Sequence, residues 1–296
     1  MNNILVTGAY GQLGTEVKNL ASHYPQYNFL LTDADSLDIT DRKALMDFTV
    51  GNDIRYIVNC AAYTAVDKAE DDPATCRKIN TDAVRNLAKA AQAAGCGIIH
   101  VSTDYVFDGL NCIPYTEKIR TRPVSVYGKT KRDGEKTLLL HCPEAVIVRT
   151  AWLYSPYGNN FVKTMMRLGR ERDQLGVVYD QVGSPTYARD LAAALLTIMD
   201  QTVQPGHGKG GIYHFTDEGV CSWYDFTLKI HQLAGIKGCR VSPILSDQYP
   251  AKAPRPHYSV LDKAKIKQTF GIAIPHWEES LKHCVNELLK MERNGE

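Results

Sequence analysis

At 296 residues, the chain is long enough for one large α/β domain or for two smaller ones. Hydrophobic residues make up 44% of it, which suffices for a packed core, and its 34 Lys and Arg nearly cancel its 33 Asp and Glu. Because the net charge is only +1, the chain offers no broad attraction to nucleic acid or to an anionic membrane. An anionic ligand must therefore be held by a local site.

The N-terminus and the cysteines predict a cytoplasmic protein. The first apolar run, Ile4 to Val6, is too short for a secretory signal, and no segment approaches the roughly 18 apolar residues that span a bilayer. The eight cysteines are widely spread and form no C-x-x-C pair, which argues against a zinc site or a disulfide framework. We therefore expect buried, reduced thiols.

The first half of the chain alternates short apolar runs with amphipathic stretches. The apolar runs predict strands at 3–7, 28–32, 56–60, 97–102 and 145–149. The amphipathic stretches predict helices at 13–22, 42–50, 76–94 and 129–140. Because nearly continuous apolar strands are buried on both faces, this alternation predicts an α/β fold with a Rossmann-type doubly wound parallel sheet. Ligands of such sheets bind beyond the carboxyl ends of the strands.

After about residue 150, glycines and prolines divide the chain into shorter pieces. Apolar spacing still predicts helices at 189–200, 223–234 and 277–291. We interpret residues 151–296 as a smaller lobe that mainly binds substrate, with some segments that return to the Rossmann sheet. The glycine-rich stretch at 206–211 is predicted to be a surface turn.

Three glycines follow the first predicted strand and open the first helix. Gly8, Gly11 and Gly14 stand in the spacing G-x-x-G-x-x-G. One glycine permits a tight turn, another lets backbone N–H groups approach a pyrophosphate, and the third lets helix and strand pack closely. A turn that merely ends a strand is the alternative, but the strand-to-helix context predicts that residues 1–150 form an NAD(P)-binding domain.

A carboxylate at the end of the second predicted strand bears on the choice of dinucleotide. Asp33 can accept hydrogen bonds from the adenosine ribose and would repel a 2′-phosphate, which favours NAD. Asp33 and Asp35 could equally be turn residues. NADPH and NADH therefore both stay open as cofactors.

Tyr127 and Lys131 form a Y-x-x-x-K pair behind the fourth apolar strand. On a helix this spacing places both side chains on one face. An ammonium beside a phenol stabilises the phenolate and lowers its pKa from about 10, so the tyrosine could exchange a proton near neutrality. The alternative is a solvent-exposed pair. The position of the two residues in the sequence, after a glycine loop and four predicted strands, disfavours this alternative.

A hydroxyl at the end of the fourth strand completes a candidate catalytic set. Ser102, Thr103 and Asp104 project at the ligand edge of the sheet. A hydroxyl there can hydrogen-bond a substrate carbonyl while Tyr127 donates the proton. Capping or turn formation is the structural alternative. We take Thr103 as the catalytic hydroxyl and Ser102 as support.

With these residues in place, the chain resembles the extended short-chain dehydrogenase/reductase family and, within it, the dTDP-4-dehydrorhamnose reductases. The likeness runs over nearly the whole chain. It rests on TGAYGQLG at 7–14, VNCAAYTAVDKAE at 58–70, Asn80, VSTDYVF at 101–107, VYGKTKRDGEK at 126–136, RTAWLY at 149–154, GNNFVKTM at 158–165, DQVGSPT at 180–186 and RPHYSVLD at 255–262. It implies reduction of the 4-keto group of dTDP-4-dehydro-β-L-rhamnose to dTDP-L-rhamnose by NADPH or NADH, for lipopolysaccharide or cell-wall polysaccharide.

The resemblance also implies residue roles, with Thr103, Tyr127 and Lys131 as the catalytic set. Cofactor contacts would come from Gly8, Gly11, Gln12, Leu13 and Gly14 at the pyrophosphate, Asp33, Asp38 and Ile39 at the adenosine, and Ala62, Tyr63, Thr64, Tyr127 and Lys131 at the nicotinamide half. Substrate contacts would come from Thr103, Asp104, Tyr105, Trp152, Asn160 and Arg255. An N-cap at Asp38 or Thr40 and packing roles for the aromatic residues stay open.

Two departures from the family pattern and one ambiguous feature accompany this likeness. Tyr63 stands where many members have histidine, and Cys60 replaces a common alanine. Some relatives form Mg-dependent dimers through C-terminal glutamates, but Glu287 and Glu292 fit a solvated helix end equally well, so no metal is predicted. We expect a monomer or homodimer that binds a small nucleotide sugar, without nucleic acid or membrane.

Two rival functions stay open at this point. A nucleotide-sugar epimerase or dehydratase of the same family needs further acid and base residues after the catalytic hydroxyl, where Asp104 and Tyr105 stand instead of a Glu or Lys pair. A non-catalytic subunit like the β-subunit of methionine adenosyltransferase would not need an intact Thr103–Tyr127–Lys131 set.

Overall fold

The computed structural model describes residues 2–295. In chain order, the strands are β1 (Asn2–Thr7), β2 (Tyr27–Thr32), β3 (Ile54–Asn59), β4 (Gly97–Thr103), β5 (Val146–Thr150), β6 (Leu153–Tyr154), β7 (Gln174–Val178), β8 (Val182–Gly183), β9 (Thr186–Tyr187), β10 (Gly211–His214), β11 (Cys221–Ser222) and β12 (Arg240–Ile244). The helices are α1 (Gln12–Leu20), α2 (Arg42–Gly51), α3 (Val66–Asp71), α4 (Pro73–Arg77), α5 (Ala83–Ala94), α6 (Val126–His141), α7 (Phe161–Glu171), α8 (Ala188–Thr202), α9 (Trp223–Leu233), α10 (Ala264–Phe270) and α11 (Trp277–Asn294).

Six parallel strands form the central sheet, in the order β10-β5-β4-β3-β1-β2. The chain leaves β1 toward β2 on one side and then crosses to β3 on the other side. The strand order therefore reverses between β1 and β3, whose last residues are Thr7 and Asn59. This reversal leaves a crevice at the carboxyl ends of the strands, which is where doubly wound sheets bind ligands. The predicted Rossmann-type fold is confirmed.

Apolar side chains cover both faces of this sheet. On one face α1 and α8 pack through residues such as Val17 and Leu195, which are fully buried. On the other face α2, α5 and α6 contribute Leu45, Leu87 and Leu138, which are equally buried. Burial of such side chains stabilises the fold by about 1.5–3 kcal/mol each relative to exposure. The sheet edge that carries the ligand crevice is thereby held between two rigid helical layers.

The chain after β5 builds a third apolar cluster from α7, α9 and α11, with Tyr154, Phe226 and Trp277 among its members. From this region β10 enters the main sheet, where Gly211 pairs with Val146. The predicted surface turn at 206–211 was therefore one residue too long, because its last glycine already belongs to a strand. The division at residue 150 stays a prediction.

The predicted helix at 76–94 is divided in the structure. A wider π-helical turn, Lys78–Asp82, separates α4 from α5. Within that turn the carbonyl of Asn80 lies so close to Gly134 of α6 that a Cβ there would be 2.2 Å from the oxygen. The widened turn thus coincides with close packing of α6, a three-dimensional demand that apolar periodicity does not record.

The cysteines differ in one respect from expectation. All eight are free, but only Cys76, Cys221 and Cys284 are buried, and four others are partly buried: Cys60, Cys96, Cys142 and Cys239. The prediction of buried thiols was wrong for the exposed residue, Cys112. It lies in the irregular segment between β4 and α6, which no helix or sheet covers. Across residues 2–295, no helix combines the length and the apolarity that a bilayer crossing requires.

Candidate active site

The loop between β1 and α1 is shaped by two close backbone approaches. Gly8 has φ +67°, and a Cβ there would lie 2.7 Å from the Ala61 nitrogen. At Gly14 a Cβ would lie 2.1 Å from the Gly8 carbonyl oxygen, so only glycine lets α1 start this close to β1. Gly11 forms the N-cap without a side chain to cap the helix. The first amides of α1 therefore stay open for an anionic group such as a pyrophosphate.

A cavity of about 490 Å³ extends from this loop over the ends of β1 and β2. It is lined by the predicted adenosine residues Asp33, Asp38 and Ile39 and by Ala62. Asp33 accepts hydrogen bonds from the Ala34 nitrogen at 2.8 Å and the Tyr10 nitrogen at 3.3 Å. Its carboxylate is thus fixed in a turn while it still borders the cavity.

Asp38 does not cap a helix. Its carboxylate accepts hydrogen bonds from the backbone nitrogen and the hydroxyl of Thr40, each at 2.8 Å. These bonds lower the pKa of Asp38, so the group stays ionised beside the cavity. The helix α2 is capped by Asp41, which accepts from the Ala44 nitrogen at 3.0 Å. The alternative of an N-cap at Asp38 or Thr40 was therefore wrong.

The segment after β3 runs along the crevice and is fixed by Asn80. The Asn80 side chain accepts from the Tyr63 nitrogen at 2.9 Å and donates to the Tyr63 carbonyl at 3.0 Å. Ala62 and Thr64, on either side, line the cavity that holds the catalytic set. Tyr63, which was predicted to contact the nicotinamide half, does not line that cavity, and its ring packs against the cluster of Ala69, Cys76 and Tyr127.

The three predicted catalytic residues meet in a second cavity of about 420 Å³. Thr103, Tyr127 and Lys131 line it together with Gln12 and Leu13 of the glycine loop. It shares residues with the first cavity at one end and with a third, larger cavity at the other. The carboxyl edge of the sheet therefore carries one continuous series of cavities, with the hydroxyls and the amine in the middle.

Tyr127 is positioned by the first turn of α6. Ser125 caps this helix by accepting from the Gly128 nitrogen at 3.1 Å. A Cβ at Gly128 would lie 2.1 Å from the Tyr105 carbonyl oxygen, so the helix rests directly on the chain that follows β4. Burial raises the pKa of the Tyr127 phenol, while the nearby Thr103 hydroxyl opposes this shift.

Lys131 is buried behind the phenol. Its Nζ donates to the Val101 carbonyl at 2.6 Å and lies 3.4 Å from Nε2 of His100. Burial lowers the pKa of Lys131 to about 8, against the opposing charge of Glu135. The placement of Tyr127 and Lys131 on one helix face is confirmed. Burial has the largest effect on the pKa of both groups in this structure, so the expectation that Lys131 acidifies the phenol stays a prediction.

The third cavity, of about 800 Å³, is lined by the predicted substrate residues Asp104, Tyr105, Trp152 and Arg255. Arg255 donates to Asp67 at 2.6 Å and to the Tyr105 hydroxyl at 3.3 Å, so its guanidinium is held at the cavity wall. Burial raises the pKa of Tyr105 to about 12 and that of Asp104 to about 7. Within the described chain, Oδ2 of Asp104 has no hydrogen-bond partner.

Trp152 and Asn160 occupy different parts of this arrangement. Trp152 has φ +50°, an uncommon value for a bulky residue, and its ring stacks on Trp223 at 3.5 Å. Asn160 caps α7 and donates to Oε1 of Gln12 at 3.0 Å. Asn160 therefore lines the middle cavity beside the glycine loop, whereas Trp152 borders the larger cavity as well.

Known proteins share this architecture throughout its length. Residues 1–290 match the family described as RmlD substrate binding domain. The chain belongs to this RmlD family. A dTDP-4-dehydrorhamnose reductase of Aggregatibacter actinomycetemcomitans is 42% identical over 288 residues, which cover 96% of this chain and 98% of that protein.

Solved structures agree with the RmlD assignment. A dTDP-4-dehydrorhamnose reductase of Clostridium acetobutylicum superposes with a TM-score of 0.91 at 44% identity, covering 97% of this chain and 99% of that one. The dTDP-4-dehydrorhamnose reductase of Bacillus anthracis, solved in complex with NADP, gives a TM-score of 0.91 at 36% identity, with coverage of 97% and 100%.

Sequence reasoning missed three residues of this RmlD-family site. Trp223 stacks on Trp152, and His100 and Asn59 stand behind Lys131. A polar residue within an otherwise apolar strand was a usable indication for His100 and Asn59. The Trp223 contact joins segments 71 residues apart along the chain and left no local pattern.

The glutamates considered for magnesium are engaged by protein groups in this RmlD-family chain. Glu287 accepts from the Tyr187 hydroxyl at 3.0 Å, and Glu292 forms a two-bond ion pair with Arg170 at 2.7 and 2.9 Å. Among residues 2–295, no cluster of three or more His, Cys, Asp or Glu side chains is arranged to hold a metal ion.

Proposed function

We propose that this chain is an NADP-dependent oxidoreductase that reduces the 4-keto group of dTDP-4-dehydro-β-L-rhamnose to give dTDP-L-rhamnose. The observation that carries the proposal is the meeting of Thr103, Tyr127 and Lys131 in one cavity at the carboxyl edge of the sheet. The reductases that match almost the whole chain supply the substrate.

The protein's own groups supply proton transfer, orientation and exclusion of water. Bound NADPH supplies the hydride that reduces the carbonyl carbon. The Tyr127 phenol donates its proton to the carbonyl oxygen as negative charge develops there. Thr103 holds the same oxygen in line, and Lys131, which lines the same cavity, would bind the ribose of the nicotinamide half. Because all three side chains are buried, these contacts act in a low-dielectric site where they are strong.

NADPH is the favoured hydride donor. The relative from Bacillus anthracis was solved with NADP, and Lys78 adds a positive charge to the wall of the adenosine cavity. Asp33 lines the same cavity and disfavours a 2′-phosphate, so we expect NADH to be used as well, with lower efficiency.

The three cavities support a division of labour along the chain. The glycine loop and the residues after β2 and β3 hold the cofactor, within residues 1–150. Residues 151–296 supply most of the wall of the 800 Å³ cavity, in which Asp104, Tyr105, Trp152 and Arg255 hold the nucleotide sugar. The guanidinium of Arg255 suits a diphosphate, because its planar fork can bind two oxygens at once. Asn160, which lines the middle cavity beside the glycine loop, contacts the nucleotide sugar from that side.

The oligomeric state, the cellular location and the expected partners complete the proposal. We infer a monomer or homodimer in the cytoplasm that acts without nucleic acid or membrane. The near-zero net charge supports this inference, because it offers no extended field for a polyanion.

A coupled assay tests the proposed function. The purified protein is mixed with dTDP-4-keto-6-deoxyglucose, a 3,5-epimerase and either NADPH or NADH, and the absorbance of the reduced coenzyme is followed. We expect consumption only when the epimerase is present, and faster consumption with NADPH. Consumption without the epimerase would indicate a different keto sugar as substrate. No consumption with either coenzyme would contradict the proposal.

A further inference from the structure

A buried polar chain runs behind the catalytic set, from Lys131 to the end of β1. His100 stands on β4 with no exposed surface, and its Nε2 lies 3.4 Å from Nζ of Lys131. Its other ring nitrogen, Nδ1, lies 2.7 Å from Nδ2 of Asn59 on β3. Asn59 in turn accepts a hydrogen bond from the Thr7 hydroxyl at 2.7 Å. The proposed mechanism uses Lys131 but assigns no role to His100.

The backbone fixes the orientation of the Asn59 amide. Oδ1 of Asn59 accepts from the Ala61 nitrogen at 3.2 Å as well as from Thr7. A flipped amide would point its NH₂ group at the Ala61 N–H, which can only donate. Gly8 packs against the same Ala61 nitrogen, so little room is left for water to replace this bond. Nδ2 of Asn59 must therefore face His100.

The tautomer of His100 follows from this orientation. Because Asn59 donates to Nδ1, that nitrogen carries the lone pair and the ring proton is on Nε2. The ring is neutral, since burial and the charge of Lys131 hold the pKa of His100 well below its ordinary value. The Nε2–H group thus points at Nζ of Lys131. An ammonium there has no lone pair to accept it, whereas a neutral amine does.

We propose that His100 is a positioning residue that donates its Nε2–H to Lys131 and thereby stabilises the neutral amine of that lysine. The inference rests on the proposed function in taking Tyr127 as the proton donor, and it adds a part for Lys131 in returning a proton to the phenol. The remaining neighbours of the amine agree with it. Glu135, the carboxylate whose charge acts on Lys131, is bound by Arg149 through two hydrogen bonds of 2.7 and 2.8 Å, so its charge is largely neutralised. The Cys76 thiol pairs with the Thr130 hydroxyl at 3.2 Å.

As a consequence, the Lys131 ammonium can give up a proton with a small free-energy penalty. After Tyr127 has given its proton to the substrate oxygen, an N–H bond of the Lys131 ammonium breaks and the phenol O–H bond forms again. The resulting amine keeps one hydrogen on the Val101 carbonyl and accepts the Nε2–H of His100. A proton taken up from the bulk solvent then restores the ammonium, so that each turnover consumes one proton from solution. A lysine with its ordinary pKa near 10.5 would give up its proton much less readily.

The tautomer can be read directly in the protein without substrate or coenzyme. Long-range ¹H–¹⁵N correlation spectra of ¹⁵N-labelled protein distinguish a protonated from an unprotonated ring nitrogen, and a His100→Phe variant identifies the signals. We expect His100 to show the Nε2–H tautomer across pH 6–9, a range that includes the ordinary pKa of histidine, about 6.5, and the pKa of Lys131, about 8. An Nδ1–H tautomer or an imidazolium would overturn the proposal.

The titration of Lys131 provides the second test. Lysine-labelled protein is titrated by NMR, with Lys131→Arg to identify the signal. We expect His100→Phe to raise the pKa of Lys131 by about one pH unit, the size of one lost hydrogen bond. The matched control is His231→Phe, which replaces a buried histidine in α9 that bonds the Met165 carbonyl and should leave Lys131 unchanged.

An unchanged or lowered pKa of Lys131 in His100→Phe would contradict the proposal. If that variant does not fold, the tautomer of the parental protein still decides. Both readouts are made without turnover, so failure of the reductase assay would leave them interpretable, and their failure would leave the proposed reaction untouched.

Discussion

Thr103 carries a hydroxyl with several partners. Its proton is donated to Oδ1 of Asp104 at 2.9 Å, its oxygen accepts from the Tyr105 nitrogen at 3.2 Å, and it contacts the Tyr127 phenol. These contacts fix where the oxygen lies before any substrate arrives. The position of the oxygen is therefore preorganised, which favours a strong contribution to catalysis once its proton turns from Asp104 to the substrate.

Removing the Thr103 hydroxyl should slow the reaction without preventing coenzyme binding. We expect Thr103→Val to lower kcat by about 10²–10³-fold, because the substrate oxygen loses the hydroxyl whose proton turns from Oδ1 of Asp104 to donate to it. Thr103→Ser keeps the hydroxyl and serves as the matched control, with kcat within about tenfold of the parental value. The coupled assay measures kcat, and fluorescence titration measures NADPH affinity. Equal rates in the Val and parental proteins would exclude Thr103 from catalysis.

At the scale of single elements, α6 delivers both Tyr127 and Lys131 to the crevice. Two glycines let it approach: Gly128 meets the Tyr105 carbonyl and Gly134 meets the Asn80 carbonyl. A methyl group at either place would overlap a backbone oxygen, which no rotamer change can relieve. The position of Tyr127 and Lys131, the predicted catalytic pair, thus depends on two glycines.

A Cβ at the start of α6 should push the helix away from β4. We expect Gly128→Ala to destabilise the protein by about 1–3 kcal/mol and to lower kcat, since the phenol moves with the helix. Gly51→Ala in α2 is the control, because nothing lies within 4 Å of that Cβ. Its free energy of unfolding should be unchanged or slightly higher. Denaturant unfolding measures both; equal stability of the two variants would refute the steric account.

Elements with their own local pattern could be predicted from the sequence. The five leading strands were placed to within two residues because each is an apolar run between turn residues. The elements that were missed include the π-helical turn at 78–82, the helices α3, α7 and α10, the longer strands β7, β10 and β12, and the four strands of two residues. Two of these strands, Gln174–Val178 and Arg240–Ile244, form by pairing with each other across 66 residues of the chain. No local sequence pattern predicts such a pairing.

The contrast between local sequence patterns and long-range contacts also explains which parts of the site could be predicted. Residues in contiguous motifs, such as Gly11, Thr103 and Tyr127, lie in one cavity as predicted. Their individual roles stay predictions. The fold was needed to show that Asn160 bonds Gln12 and that Trp223 stacks on Trp152, because each contact joins separate segments. It was also needed for the pKa of Lys131, which depends on burial.

At the scale of the whole molecule, one buried carboxylate of the Rossmann layer is influenced by a charge on the C-terminal helix. Glu16 of α1 is fully buried, and neither of its oxygens has a hydrogen-bond partner within residues 2–295. Burial, Glu287 and Asp190 raise the pKa of Glu16 to about 7, against the charge of Arg189 at 3.9 Å. The folded protein therefore prefers Glu16 in its neutral form.

This preference predicts a pH-dependent stability. Unfolded Glu16 titrates near 4.5 and folded Glu16 near 7, so the folded state binds more protons between these values. The free energy of unfolding should consequently fall as pH rises through that window. We expect Glu16→Gln to be more stable than the parental protein by about 2 kcal/mol at pH 8, with a smaller difference at pH 5. Denaturant titrations at both pH values measure this; a less stable Gln variant at pH 8 would show that ionised Glu16 stabilises the fold.

The reductase account depends most directly on the phenol as proton donor. The decisive measurement compares Tyr127→Phe with the parental protein in single-turnover reduction of the epimerised 4-keto sugar, alongside NADPH binding. The account predicts a rate lowered by about 10²–10⁴-fold, with NADPH affinity nearly unchanged, because only the phenolic proton has been removed. Reduction at the parental rate by the Phe variant would contradict it.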